Sequence, residues 1–193
     1  GCEDAVDKMP RLRKTLIKSA ISNSKAYKLA RRKLYSLTIE SVSSFEQIIS
    51  CIETLLRYPI HRISSIYLWP KILTKICGGR LRFPISGGGA IAPHIDSFFE
   101  ALGVELLVGY GLTETSPVLT CRRPWRNIRG GAGQPLPETE IKIVDPETYQ
   151  IKKLRQKGLV LARGPQIMSG YLGKISESNK VLDATGWFNT GDL

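Results

Sequence analysis

The sequence predicts an α/β protein: a sheet with flanking helices, followed by a β-rich subdomain. Three observations predict it. Residues 10–37 and 45–57 carry apolar residues at helical spacing. From Arg80 to Gly111 the order is strand, glycine-rich loop, helix, strand, glycine-rich loop. In an α/β sheet such loops leave the carboxyl ends of strands, where ligands bind. From Arg129 onward, alternation with Gly, Pro and Asp punctuation replaces the helical period. At 193 residues and 42% hydrophobic, the chain can bury the core of one large domain or two small ones.

Over residues 10–37 the apolar stripe runs through Leu12, Leu16, Ala20, Tyr27, Ala30 and Leu34, with Lys and Arg on the other faces. This predicts one or two amphipathic, basic helices. Ten of the 28 Lys and Arg residues lie between Lys8 and Lys33, a stretch without Asp or Glu, and the rest of the +11 chain is close to balanced. Such a charge run suits a solvated face, or attraction to a membrane surface, a nucleic acid or an acidic protein. Nucleic acid is disfavoured, because no recognised binding motif accompanies the charge.

Residues 45–57 predict a second helix, with Pro59 and Pro70 as punctuation. Ile72, Leu73 and Ile76 mark a short helix closed by Gly78 and Gly79. "RLRFPIS" is a short strand and "PHIDSFFEALG" a helix, with Ile95, Phe98, Phe99 and Leu102 on one side and Gly103 as its stop. "VELLV" is the next strand, then "TEIKIVD" and "GLVLARG". The expected division is a basic helical segment over 1–69, an α/β part over 70–132 and a β-rich part over 133–193. No internal repeat or low-complexity segment is present.

Cys2, Cys51, Cys77 and Cys121 are scattered without a CxxC pair, which argues against a zinc site and a disulfide framework and for reduced thiols inside a cell. His61 and His94 are too few for a His-built metal site and read as structural. The first apolar stretches are short and broken by charge, so neither a signal peptide nor a membrane-spanning helix is expected. The chain ends on "GWFNTGDL", which reads as the middle of a motif, and a longer parent is expected.

The chemistry concentrates in three places. Gly87–Gly89 permit close backbone approach to a ligand, or simply a tight turn. In "GYGLTETSP", Thr113 can donate to a phosphate oxygen and Glu114 can hold Mg²⁺, which takes few protein ligands and shares substrate phosphates. The same pair suits a helix start, and spacing alone does not choose. Asp192 follows a Thr–Gly turn, where a carboxylate accepts both hydroxyls of a ribose or serves as an ordinary turn aspartate. Ring, hydroxyl, carboxylates and glycine loop together are the parts of a nucleotide site.

"SGGGA", "GYGLTETSP", "RGPQIMSGY" and "GWFNTGD" occur in that order, and the chain from Leu68 to Leu193 thereby resembles the AMP-forming acyl-activating enzymes, or acyl-adenylate synthetases. "CRRPWRNIRGGAGQP" and "TEIKIVDPET" look most like the long-chain fatty acyl–acyl carrier protein synthetases of cyanobacteria and plastids, and residues 8–37 resemble that branch's insertion more weakly. The resemblance implies the large N-terminal domain of an adenylate-forming enzyme. Tyr110 would stack on adenine, with the Gly88–Ala90 backbone (Gly88, Gly89, Ala90) along the ring edge and Gly111 beside it. Thr113 would touch the α-phosphate, Glu114 would hold Mg²⁺ and Asp192 would bind the ribose. Gly87 and Gly109 would leave room for the acyl chain.

The reaction so implied has two halves: a fatty acid carboxylate attacks the α-phosphorus of ATP, then a phosphopantetheine thiol, of acyl carrier protein or coenzyme A, takes the acyl group. The resemblance also implies an intracellular setting, a plastid or the cyanobacterial cytoplasm, and the charge run of residues 8–33 suits peripheral membrane association. Two departures stand out. Leu159 occupies a position where many adenylating enzymes have glutamate, and "LGKISES" follows Gly170–Tyr171 where the family usually has a second aromatic and Asn-Pro. The family's upstream phosphate loop and its C-terminal lysine-bearing domain are missing, so no catalysis is expected from these residues alone.

Overall fold

The computed structural model describes residues 11–193, which group into two compact units. One takes in the chain up to Leu107 together with Pro124–Gly131; the other comprises Val108–Arg123 and Ala132–Leu193. Residues 8–10 of the basic run and Cys2 lie outside the described residues, as does the side chain of Leu12.

The first unit is mostly helical. Helix α1 is a single helix, Arg11–Leu34, and its basic last turn, Arg31, Arg32 and Lys33, suits the negative end of the helix dipole. Helix α2, Ser44–Tyr67, starts on a capping box in which the Ser43 hydroxyl accepts the Glu46 N–H and the Glu46 carboxylate accepts the Ser43 N–H. Pro59, expected as a break, lies inside this helix. A mid-helix proline costs about 3 kcal/mol in isolation. Here the helix holds because it packs on α1 on both sides of the proline, through Asn23 Nδ2 to the Arg57 carbonyl at 3.2 Å and through His61 Nδ1 to Ser24 Oγ at 2.9 Å.

The seam between α1 and α2 differs from the expected apolar stripe. Ile17, Ser24, Tyr27 and Ala30 are buried, whereas Leu16 is 62% exposed. On α2 the buried positions are Ser50 and Ser64. The buried Ser64 hydroxyl is satisfied within its own helix, donating to the Ile60 carbonyl at 2.8 Å, and the half-buried Thr54 hydroxyl donates to the Ser50 carbonyl at 2.6 Å. Helix α3, Trp69–Cys77, has Pro70 in its first turn and ends on Gly78 in the left-handed region.

The expected strand "RLRFPIS" reduces to β1, Ile85–Ser86, because Pro84 has no N–H to give a ladder. The Pro84 carbonyl accepts the N–H of Leu107, the first residue of β2 (Leu107–Tyr110). Helix α4, Pro93–Ala101, lies where expected, and Leu102 at its end is buried as expected, but Asp96, Glu100 and Ala101 are buried on the helix while Phe98 and Phe99 are half-buried and Ile95 is 40% exposed. The cause is distant in sequence. Arg129 pairs with Asp96 and lies 3.8 Å from Glu100, and Arg32 of α1 lies 3.4 Å from Glu100. Buried carboxylates persist only where such partners compensate their desolvation.

The second unit carries the β structure. Strands β2, β3 (Thr120–Cys121) and β4 (Gln134–Pro135) pair antiparallel, with Gly109 opposite Cys121 and Tyr110 opposite Thr120. Strands β5 (Glu140–Val144), β6 (Leu159–Arg163) and β7 (Phe188–Asn189) form a second antiparallel sheet. Val144, Leu159 and Leu161 make its core, with Trp187 packed against them. The apolar Leu159 is therefore a core residue here. The short helix α5, Ile175–Val181, precedes β7.

Candidate functional site: a tyrosine–aspartate pair beside a strapped glutamate

Strand β2 ends at Tyr110 and the chain turns at once. A Cβ on Gly111 would lie 1.9 Å from the Pro117 carbonyl oxygen, so no side chain fits there. The loop folds back tightly enough for Leu119 N–H to reach the Tyr110 carbonyl at 2.8 Å. Residues Thr113–Thr115 form one 3-10 turn. Its organiser is Thr115, which sequence reasoning missed. This side chain is fully buried, and its Oγ1 accepts the Leu112 N–H at 2.9 Å while lying 2.9 Å from the Leu112 and Pro117 carbonyls. The inward hydroxyl holds the loop, which leaves Thr113 exposed and Glu114 half-buried. Thr113 is thus not the cap that a helix start would make of it.

A strap from the motif "RGPQIMSGY" crosses this turn. Met168 N–H donates to the Glu114 carbonyl at 2.8 Å, and the Tyr171 hydroxyl donates to Glu114 Oε1 at 2.9 Å. Accepting that bond, Glu114 favours the neutral phenol and raises the Tyr171 pKa above its ordinary value. Gln166 ties the strap down through a 2.6 Å bond to Thr139 Oγ1. Tyr171 stood in a recognised motif but was not singled out; only the fold shows that it reaches Glu114.

Asp192 arrives from the other sheet. Val160 of β6 receives the Thr190 hydroxyl on its carbonyl at 2.9 Å and gives its N–H to the Asp192 carbonyl at 2.9 Å. Gly191, at φ 75°, makes the turn between them. The exposed Asp192 carboxylate then accepts the Tyr110 hydroxyl at 2.7 Å, joining positions 82 residues apart. Burial, and then the Asp192 carboxylate, push the Tyr110 pKa up to about 12. The hydroxyl therefore stays protonated and donating at neutral pH.

The second unit thus brings together Tyr110 with Asp192, and Glu114 with Tyr171. Gly109 sits in β2, where a Cβ would meet only ordinary contacts, 3.8 Å from the Thr120 carbonyl. Gly87, Gly88, Gly89 and Ala90 belong to the first unit, where all four are exposed. Gly88 is in the left-handed region at φ +80°, with open space where a Cβ would go. Chemically, the second unit offers an aromatic ring at a strand end, a carboxylate with free acceptor capacity on an exposed turn, and a second carboxylate engaged on one oxygen. Among the described residues no group of three or more His, Cys, Asp or Glu side chains could hold a metal ion, so Glu114 offers a single ligand rather than a closed cage.

Residues 10–172 match the family described as AMP-binding enzyme. The chain is 47% identical over 137 residues to the chloroplastic long-chain-fatty-acid–[acyl-carrier-protein] ligase AEE15 of Arabidopsis thaliana, covering 71% of this chain and 19% of that protein. It is 38% identical over 126 residues to long-chain-fatty-acid–CoA ligase 1 of Schizosaccharomyces pombe, covering 64% of this chain and 19% of that protein. Among solved structures, an anthranilate CoA ligase in complex with anthranoyl-AMP matches with a TM-score of 0.52 and 27% identity, over 57% of this chain and 21% of that one. The chain therefore spans about a fifth of the length of these relatives. Its mixed α/β architecture, sheets with flanking helices, is that of the N-terminal domain of adenylate-forming enzymes. The ordered motifs, the paired Tyr110 and Asp192 and the match over most of the chain agree: the chain belongs to the AMP-binding enzyme family.

Proposed function

We propose that this chain is part of the nucleotide- and acyl-binding domain of an ATP-dependent long-chain fatty acid ligase. The whole enzyme would form a fatty acyl-adenylate and pass the acyl group to the phosphopantetheine thiol of acyl carrier protein. The observation that carries the reading is the 2.7 Å bond between Tyr110 and Asp192. An aromatic ring and a ribose-competent carboxylate lie side by side, as adenosine recognition requires. Tyr110 would stack on adenine beside the backbone of Gly88–Ala90 and Gly111, and Asp192 would accept the ribose hydroxyls. Thr113, exposed at the head of its turn, would donate to the α-phosphate, where charge builds as pyrophosphate leaves.

Glu114 fits Mg²⁺ that enters with ATP, since one carboxylate is enough where phosphates supply the other ligands. The ion would neutralise phosphate charge; the chain's own task is to hold Glu114 at the turn, its carboxylate through Tyr171 and its backbone carbonyl through Met168. Gly87 and Gly109 would border the acyl chain. The basic residues 8–33 would give an acidic carrier protein or an anionic surface something to bind. A plastid setting follows the chloroplastic relative.

The acceptor has a second reading. Relatives named as CoA ligases match at 38% and 39% identity, so coenzyme A competes with acyl carrier protein for the thiol step. The test uses the full-length enzyme that carries this chain. Asp192→Asn, which keeps size and loses charge, should raise the KM for ATP in fatty-acid-dependent pyrophosphate exchange by about 10- to 100-fold, the range for losing hydrogen bonds to a charged group. An unchanged KM would remove Asp192 from the nucleotide site. Product formation with each thiol acceptor in turn then decides between the two.

A further inference from the structure

The two oxygens of the Glu114 carboxylate are not equivalent. Oε1 accepts the Tyr171 hydroxyl at 2.9 Å. Acceptor and donor are each held from a second side. The Glu114 carbonyl accepts the Met168 N–H at 2.8 Å, and the next residue, Thr115, is anchored by its buried hydroxyl. The Tyr171 N–H donates to Ser178 Oγ of α5 at 2.8 Å, and that hydroxyl donates in turn to the Lys174 carbonyl at 2.9 Å. Gly170 leads into Tyr171 at φ 143°, and a Cβ on it would lie 2.9 Å from Ser178 Oγ. The phenol is thus aimed by a fixed backbone, and its bond to Glu114 joins two positioned groups 57 residues apart. All of these residues belong to the second unit.

A carboxylate with one oxygen committed to a fixed donor presents the other, here Oε2, as its ligand atom. Divalent cations differ in how they take this. Calcium accepts a carboxylate through one oxygen or through both, in a flexible shell. Magnesium is smaller and demands near-ideal octahedral geometry. The two oxygens of one carboxylate lie too close together to fill adjacent octahedral positions, so a carboxylate limited to one oxygen suits magnesium and withholds from calcium its second contact.

We propose that Tyr171 is a positioning residue that favours magnesium over calcium: by occupying Oε1 it limits Glu114 to ligation through one oxygen. The proposal rests on the reading of Glu114 as the magnesium ligand and adds to it which oxygen serves and which cation is disfavoured. Partners that hydrogen-bond a metal ligand fix its orientation and tune the metal it takes. Ser178 acts one step further out, by fixing the backbone from which the phenol reaches.

The experiment is calorimetric binding of an α,β-methylene ATP analogue, uncleavable between its α- and β-phosphates, to the full-length enzyme that carries this chain. Binding is measured in saturating Mg²⁺ and, separately, in saturating Ca²⁺, and the readout is the ratio of the two Kd values. Tyr171→Phe keeps the ring and frees Oε1, and should shift the ratio about tenfold toward calcium, the low end of the range for removing such a partner. Ser178→Ala should shift it the same way by less, and decides the matter if Tyr171→Phe does not fold. Glu114→Gln should weaken both complexes. A wild-type ratio in Tyr171→Phe, or an equal weakening of both complexes as a merely structural strut would give, overturns the proposal; if Glu114→Gln still weakens them, the magnesium reading of Glu114 survives it. If Glu114→Gln binds both complexes like wild type, that reading falls and the proposal with it.

Discussion

The two units of this molecule solve the same problem with opposite chemistry. In the unit that carries Tyr110 and Asp192, apolar residues point in: Val144, Leu159 and Leu161 form the core and polar side chains gather at a loop. In the helical unit, hydroxyls and charged pairs are buried and a histidine is half-buried, while Leu55 and Leu56 of α2 face outward. The difference shows that burial of apolar area fixes side-chain direction only where nothing else competes for the inside. A half-buried Ser24–His61 bond, or a buried Arg129–Asp96 pair, outranks it once both partners are present.

The largest expected effect sharpens this comparison from the β-rich side. Gly111→Ala places a methyl group 1.9 Å from the Pro117 carbonyl oxygen and 2.9 Å from the Val118 Cα, both backbone. Neither can yield without opening the loop that Thr115 closes. The substitution should lower the unfolding free energy by about 3 kcal/mol, at the level of the most disruptive single changes. Urea unfolding measures it, and a loss below about 1 kcal/mol would mean that the loop can relax.

What was legible in the sequence divides along the same line. The loop at Tyr110 and the turn at Asp192 were legible because glycines and short motifs leave few conformations. Their mutual bond was not: 82 residues separate them, and only the resemblance to adenylate-forming enzymes set them in one site. Thr115 was hidden because its role is an inward hydroxyl, which looks in sequence like its exposed neighbour Thr113. In the helical unit, helix existence was legible from periodicity, but the inward faces were not. Leu16 was expected inside and Ile17 is there. Phe98 and Phe99 were expected inside and Asp96 and Glu100 are there, because their arginine partners come from α1 and from the 124–131 segment. Pro59 reads as a break only if the helix stands alone.

A prediction of intermediate size tests the polar seam. Burial, and then Lys28 and Arg31, lower the His61 pKa from 6.5 to about 4. Its folded pKa thus lies below its unfolded value. Above pH 6.5 both states are neutral and the seam keeps its full stability. As pH falls from 6.5 toward 4, the unfolded chain takes up the proton first and the fold loses stability. The ring is only half-buried, so solvent screening reduces the effect to about 1 kcal/mol. His61→Gln should flatten the dependence of Tm on pH across that window. Equal slopes in the two proteins would place the titration elsewhere.

The smallest expected effects separate backbone from space at two adjacent glycines. At Gly88 the φ of +80° is one that alanine adopts at a cost of about 1 kcal/mol, although no atom lies within 4 Å of the added methyl. Gly89 has neither a left-handed φ nor a neighbour within 4 Å. Gly88→Ala should therefore lower stability by about 1 kcal/mol, and Gly89→Ala by less than about 0.5 kcal/mol. If the backbone here lines the adenine and acyl site, Gly89→Ala should still raise the KM for ATP or fatty acid in the full-length enzyme while unfolding normally. The pair thus distinguishes a glycine kept for its dihedral from one kept for its ligand. Gly89→Ala with normal KM values would leave the triplet a turn, and the room for substrate would have to come from Gly109 and Gly111 alone.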